Sequence, residues 1–208
     1  MADEVTPQAP ETPPPPKPPW EEKPVPAVPR DAATHPLVVE LAAAVPGLEM
    51  QAVEFAGQVT VVVPLDRLLA VCRVAKETLG YGYLVDLTAV DWKDRAEGRF
   101  DVVYWLHRHR DEQRLRVKVR VADGVEVPSV TGVWKVANWM EREVFDMFGI
   151  YFADHPNLER ILTWEGFNGH PLRKDFPLEG IDTGAAIYPD VYPPGTGPAR
   201  SGGEGGGA

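Results

Sequence analysis

The sequence predicts an α+β fold: a mostly antiparallel sheet covered by helices on one face, with a long irregular C-terminal docking segment and disordered-type tails. Three observations point there. Residues 100–107 and 114–121 are strand-like runs flanking a polar turn at 108–113. In the second run, Leu115, Val117, Val119 and Val121 alternate with Arg114, Arg116, Lys118 and Arg120, so one face is buried and the other is strongly basic. Elsewhere, apolar residues recur at helical spacing and each such stretch ends at glycine or proline.

Taken in order, residues 36–45 suit a short helix with Pro36 in its first turn, stopped by Pro46-Gly47. Residues 50–55 and 58–63 form a hairpin of β-branched strands around Ala56-Gly57. Pro64 then opens a second helix over 65–79. Leu65, Leu68, Leu69, Cys72 and Ala75 share one of its faces, and Gly80 sits at the C-terminal cap position. Residues 81–90 return to strand composition, and 125–127 make a last edge strand before Pro128. A third helix runs from Ser129 or Thr131 to about Phe148. Val133, Val136, Ala137, Met140, Val144 and Phe148 are its stripe, and Gly149 stops it.

This pattern divides the 208 residues into a proline-rich arm (1–33), an α+β domain (34–128), a helix plus extended docking segment (129–182) and a Gly/Pro-rich tail (183–208). Eleven of the 22 prolines precede Arg30, which favours an extended arm with no core of its own. No apolar run approaches the ~20 residues of a membrane span. Asp3, Glu4 and the early prolines do not resemble an export signal, so an intracellular location is expected. The single cysteine, Cys72, excludes an internal disulfide and any four-cysteine site within this chain, and reads as a small core residue. A net charge of −10 argues against nucleic acid as a partner.

The most informative stretch is 139–180. Its helical part carries four charged side chains, Glu141, Arg142, Glu143 and Asp146, among Trp139, Phe145 and Phe148. Arg142 and Asp146 stand i,i+4 and are placed to pair. A helix so apolar around its circumference and yet so charged suggests cover by a partner. Residues 169–177 contain two prolines and a glycine around Arg173, Lys174 and Asp175, which excludes regular helix or central strand. Trp164, Phe167 and Phe176 are candidate anchors for docking.

Asp154, His155, Glu159, His170 and Asp175 supply metal-ligand types, but at loose spacing and with each histidine followed by proline. Turns built on His-Pro are the simpler account, so no metal ligand is assigned. With no GxGxxG, no GxxxxGK[ST] and only Ser129 and Ser201 as serines, neither a nucleotide site nor serine-nucleophile catalysis is expected.

These residues resemble the thirty-kilodalton subunit of bacterial respiratory NADH:quinone oxidoreductase (complex I). The resemblance rests on Glu141-Arg142-Glu143-x-x-Asp146-x-x-Gly149-Ile150, on His155-Pro156-x-Leu158-x-Arg160-Ile161-Leu162, and on Gly169-His170-Pro171-Leu172-Arg173-Lys174-Asp175-Phe176-Pro177. It covers roughly 34–180. Asn157 stands where the family often has Asp, and Trp164-Glu165 where Asp-Tyr is common.

The resemblance implies a structural subunit with no cofactor and no catalytic residue of its own, peripheral on the cytoplasmic side of the cell inner membrane. FMN and iron–sulfur clusters would lie on other subunits. Its partners would be the large quinone-site subunit and neighbouring iron–sulfur subunits, and it would touch the membrane only through the complex. Its interface residues would be the motif positions Glu141, Arg142, Glu143, Asp146, Gly149, His155, Pro156, Arg160, and His170 through Pro177. The alternatives are an equivalent scaffold subunit of a membrane-bound hydrogenase or related dehydrogenase, a free-standing metal enzyme using His155 and His170, and an adaptor binding through the proline arm.

Overall fold

The computed structural model describes residues 28–164 and 166–180. Residues 1–27 of the proline-rich arm, and residues 181–208 with the whole Gly/Pro-rich tail, lie outside the described residues.

Strand β1 (Arg30–Asp31) leads into helix α1 (Pro36–Ala44), whose first turn is capped by the His35 ring: Nδ1 accepts from the Leu37 N–H at 3.2 Å. Strands β2 (Gln51–Phe55) and β3 (Gln58–Val62) form the expected hairpin. Its two-residue turn puts both Ala56 and Gly57 at positive φ, the geometry that matches strand twist. The second helix begins later than Pro64 suggested. A 3₁₀ turn at Leu65–Arg67 precedes α2 (Leu68–Glu77), which buries Leu68, Val71, Cys72 and Ala75. Strands β4 (Tyr83–Asp91), β5 (Phe100–Arg108) and β6 (Gln113–Val121) follow, and β4 carries a bulge between Leu84 and Asp86.

The six strands are ordered β1-β2-β3-β6-β5-β4. All pairs are antiparallel except β3 and β6, which run parallel with Val59 opposite Leu115 and Val61 opposite Val117. Chain connectivity requires this exception. Helix α2 carries the chain across to the far edge at β4, and two antiparallel returns then bring β6 back beside β3. Inward residues of the strands, among them Val59, Val61, Tyr104, Leu115 and Val117, share one core with residues from α1 and α2.

Strand β1 and buried Ala32 fall within the stretch expected to be a coreless arm (1–33), because pairing with β2 draws residues 30–31 into the sheet; the other differences from expectation lie at the end of the domain. Residues 125–127 do not extend the main sheet. Strand β7 (Val127–Pro128) pairs parallel with β8 (Phe152–Ala153) in a separate two-stranded ribbon. Helix α3 spans Ala137–Phe148 rather than starting near Ser129. Val133 and Trp134 N–H groups bond Val130 O in turns that precede it. Ser129 and Val130 donate instead to the Glu141 carboxylate, so they bind a side chain within the helix rather than opening it.

Candidate subunit interface

Helix α3 ends at Gly149, whose φ of +72° is the left-handed conformation of a helix stop. A helix leaves its last four carbonyls without intrahelical partners, and here each receives a donor. Phe145 O accepts from Gly149 N–H at 2.8 Å, Asp146 O from His170 Nδ1 at 2.9 Å, and Met147 O from Leu172 N–H at 3.1 Å. Phe148 O accepts from Arg173 Nε. Three of the four donors come from the run His170-Pro171-Leu172-Arg173. The His170 ring also explains why residue 149 is glycine, since an added Cβ would fall 2.5 Å from its Nε2.

The Arg173 guanidinium spans from α3 to the sheet. It donates to Asp123 at 3.0 and 2.9 Å and lies over the Phe100 ring, 5.2 Å from its centroid. Next to it, the Lys174 N–H donates to Asp91 at 2.8 Å, and Arg99 pairs with both Asp91 and Asp175, at 2.8 and 2.9 Å. Burial tends to raise the Asp91 pKa, but bonds from Arg99 and from the Lys174 and Lys93 N–H groups outweigh it and hold the carboxyl down at about 2.

Asp146 is fully buried and organises the preceding stretch. Its carboxylate accepts from the N–H groups of Ile161, Leu162 and Thr163 at 3.0, 2.8 and 2.8 Å, from the Arg160 guanidinium at 2.7 Å, and from the Thr163 hydroxyl. Burial pushes this carboxyl up, while the Thr163 hydroxyl, the backbone N–H groups and Arg160 together hold it well below the usual carboxylate range. The anticipated Arg142–Asp146 pair is therefore absent. Arg142 instead donates to the carbonyls of Glu159 and Arg160 at 3.0 and 3.1 Å and stacks on Trp139. Both side chains reach the same segment from the helix, one binding its N–H groups and the other its carbonyls.

Glu141 is also fully buried. Ser129 Oγ and Val130 N–H each donate to it at 2.7 Å, and burial pushes its carboxyl up to about 7 against those two lowering bonds. Two of the four helix charges are thus covered by this chain itself, while Glu143 is exposed.

The residues of the metal alternative are engaged elsewhere. His155 Nδ1 accepts from Asn157 N–H, which leaves Nε2 to donate to Asn138 O at 3.1 Å. His170 bonds a helix carbonyl and Asp175 pairs with Arg99. Within the basic row of β6, Lys118 lies 3.7 Å from Asp101 and Arg120 2.8 Å from Glu97, while Arg116 lies over the Trp105 ring. Asp91, Arg99, Asp123 and Thr163 anchor the segment although no sequence motif singled them out. Asp91 and Lys174 lie 83 positions apart, and no local pattern encodes such a pair.

On this anchored frame, large apolar side chains face outward. Trp139 is 61% exposed, Leu162 63% and Leu172 52%. Trp164, Phe167 and Phe176 form a run of aromatic contacts, with centroids 4.9 and 6.0 Å apart. Among the described residues no helix is long and apolar enough to cross a membrane.

Residues 61–182 match the family model of the respiratory-chain NADH dehydrogenase 30-kDa subunit. The chain belongs to this family. Among its relatives, an NADH-quinone oxidoreductase subunit of Geobacter sulfurreducens is 47% identical over 130 residues, covering 62% of this chain and 80% of that protein. An NADH-quinone oxidoreductase subunit of Geobacter metallireducens is 42% identical over 150 residues, 72% of this chain and 93% of its own length. A chain from the structure of the membrane-bound sulfane sulfur reductase, an archaeal respiratory membrane complex, superposes with a TM-score of 0.60 at 29% identity, over 68% of this chain and 84% of that one.

Proposed function

We propose that this member of the 30-kDa subunit family is a cofactor-free scaffold of the peripheral arm of a proton-translocating NADH:quinone oxidoreductase, on the cytoplasmic side of the cell inner membrane. It docks on the large quinone-site subunit and neighbouring iron–sulfur subunits and supports electron transfer from NADH to quinone. FMN and the iron–sulfur clusters reside on those other subunits.

The observation that carries this reading is the apolar display at 139–178 on a rigidly bonded backbone. Exposed side chains such as Trp139, Leu162 and Leu172 have no role in this chain's own core, and an aromatic anchor such as Trp139 dominates interface energetics. Fixing the segment through Asp146, His170 and Arg173 before assembly lowers the ordering cost of docking. The motif residues Arg142, Glu143, Gly149, Pro156, Arg160, Pro171, Lys174, Phe176 and Pro177 then shape the contact surface, and Glu141 and Asp146 act from beneath it.

Trp139→Ala, read in the assembled complex, is the test. Trp139 is exposed, so the chain still folds, while recovery of the large subunit with the tagged chain falls by ~30-fold in apparent affinity, the range of a ~2 kcal/mol hot spot. Undiminished recovery would overturn this placement of the interface. Mass spectrometry of the wild-type capture separates the second reading, an equivalent scaffold in a hydrogenase-like or sulfur-reducing membrane complex, which the archaeal structural neighbour favours. A flavin/NADH module among the partners supports the first reading, and its replacement by another electron-input subunit supports the second.

A further inference from the structure

Three of the five histidines are occupied by backbone groups: His35 at the start of α1, His155 by Asn138 O and Asn157 N–H, and His170 at the end of α3. The other two, His107 and His109, have no hydrogen bond to backbone among the described residues. They stand two positions apart, His107 near the end of β5 and His109 in the turn just past it. Their centroids lie 4.6 Å apart in an edge-to-face contact, and the Tyr83 ring lies 5.8 Å from that of His109. The β5–β6 turn then brings back Glu112, whose Oε2 is 3.4 Å from His107 Nε2.

We propose that His107, His109 and Glu112 form a binding site for a divalent transition-metal ion of the zinc class. One ligand atom from each of the three lies within 4.8 Å of the others. Zinc bonds of ~2.0–2.2 Å in a tetrahedron separate neighbouring ligand atoms by about 3.3–3.6 Å, which the His107–Glu112 distance already meets. Small rotations of exposed His109 and Glu112 close the remainder, while His107, buried in the sheet, holds its position. Two imidazoles with one carboxylate select a borderline ion such as Zn²⁺ over Mg²⁺ or Ca²⁺, which require oxygen ligands. Three protein ligands leave a fourth position for water.

Nearby cations limit the affinity without blocking the site. Arg114 faces His107 across the sheet register, whereas Arg108 is held by Asp111 and Glu40. The ion ties the end of β5 to the turn after it. His107 lies seven positions along β5 from Phe100, the residue that carries Arg173, a separation of about 23 Å along the strand. The site is thus distinct from the segment proposed to dock, and its test is independent of assembly.

The experiment is titration of the metal-stripped full chain with Co²⁺, followed by displacement with Zn²⁺. The expected result is one equivalent of Co²⁺ with the visible absorption of low-coordinate cobalt, displaced by one equivalent of Zn²⁺. Glu112→Gln and His109→Ala, both at exposed turn positions, each weaken Zn²⁺ binding by more than about tenfold with unchanged circular dichroism. Absence of stoichiometric binding, or binding unchanged in either variant, would overturn the site.

Discussion

Between β2 and β6 the chain is held by side chains such as Val59, Val61, Leu115 and Val117, which have no polar atoms and interlock across adjacent strands. Among the described residues from 155 to 177, no apolar side chain is fully buried; Leu158 packs partly against the core, and the remaining attachment is polar. The carboxylate of Asp146, the ring of His170 and the guanidinium of Arg173 each bind specific backbone atoms. The contrast predicts that the two regions tolerate substitution differently. An apolar core accepts other side chains of similar volume, whereas a carboxylate receiving five donors has no substitute of the same shape and charge.

The largest expected effect, and the most direct way to break the comparison, is Asp146→Ala. It strips five donors of their acceptor and leaves the Arg160 cation without its counter-charge, a loss of ~3–5 kcal/mol by analogy with broken buried pairs. Hydrogen exchange should accelerate at the 161–163 amides while those of β6 stay protected. Uniform acceleration across both regions would show that they are one cooperative unit and that the distinction is false.

Gly149→Ala comes next, at ~2–3 kcal/mol, since it combines a left-handed φ with a Cβ driven into His170. In a His170→Ala background the same substitution should cost less, ~1–2 kcal/mol, chiefly backbone strain, with Arg173 Nη2 still 3.0 Å from the added Cβ. Thermal melts of the wild type and the three variants in that cycle measure the difference, and an equal cost in both backgrounds would remove His170 from the account.

An effect of similar size, but confined to neutral pH, separates Glu141 from Asp146 and Asp91. The folded-state pKa of Glu141 is raised to about 7, so its contribution to stability is complete below its unfolded value, near 4.5, and is lost as pH rises from there through about 7. Asp146 and Asp91 are lowered, so their contributions are present above about pH 4 and are lost as pH falls through their folded values, about 2 for Asp91. Glu141→Gln should therefore flatten the stability profile between pH 5 and 8, a change on the order of 2–3 kcal/mol at the alkaline side. The acid limb below pH 4 should be untouched. Denaturant melts across that range check it, and an unaltered neutral limb would mean that Glu141 is not the group responsible.

Much of the body was legible from local pattern. Alternation over 114–121, the Ala56-Gly57 turn and the Gly149 stop follow from backbone geometry and side-chain period alone, and each appears where expected. The start of α3 was misplaced because Ser129 has the composition of a cap, while its hydroxyl binds Glu141 twelve positions on. The Arg142–Asp146 pair does not form for a related reason. Spacing on a helix shows which side chains can meet, but not whether a competing set of backbone donors occupies the carboxylate first.

By itself, the sequence determined the longer strands, the three helices to within a few residues, the glycine-marked turns and the motif that places the chain in its family, because these depend on near neighbours. Only the tertiary structure decided that β3 lies parallel to β6, that Asp91, Arg99 and Asp123 receive the segment, and that His170, Leu172 and Arg173 complete the carbonyls of α3. Those partners lie 24 to 83 positions apart in the pairs formed with His170 and Lys174. A polar pair at that separation leaves no period in the chain, and is selected only once packing of the apolar core has brought its two halves within bonding distance.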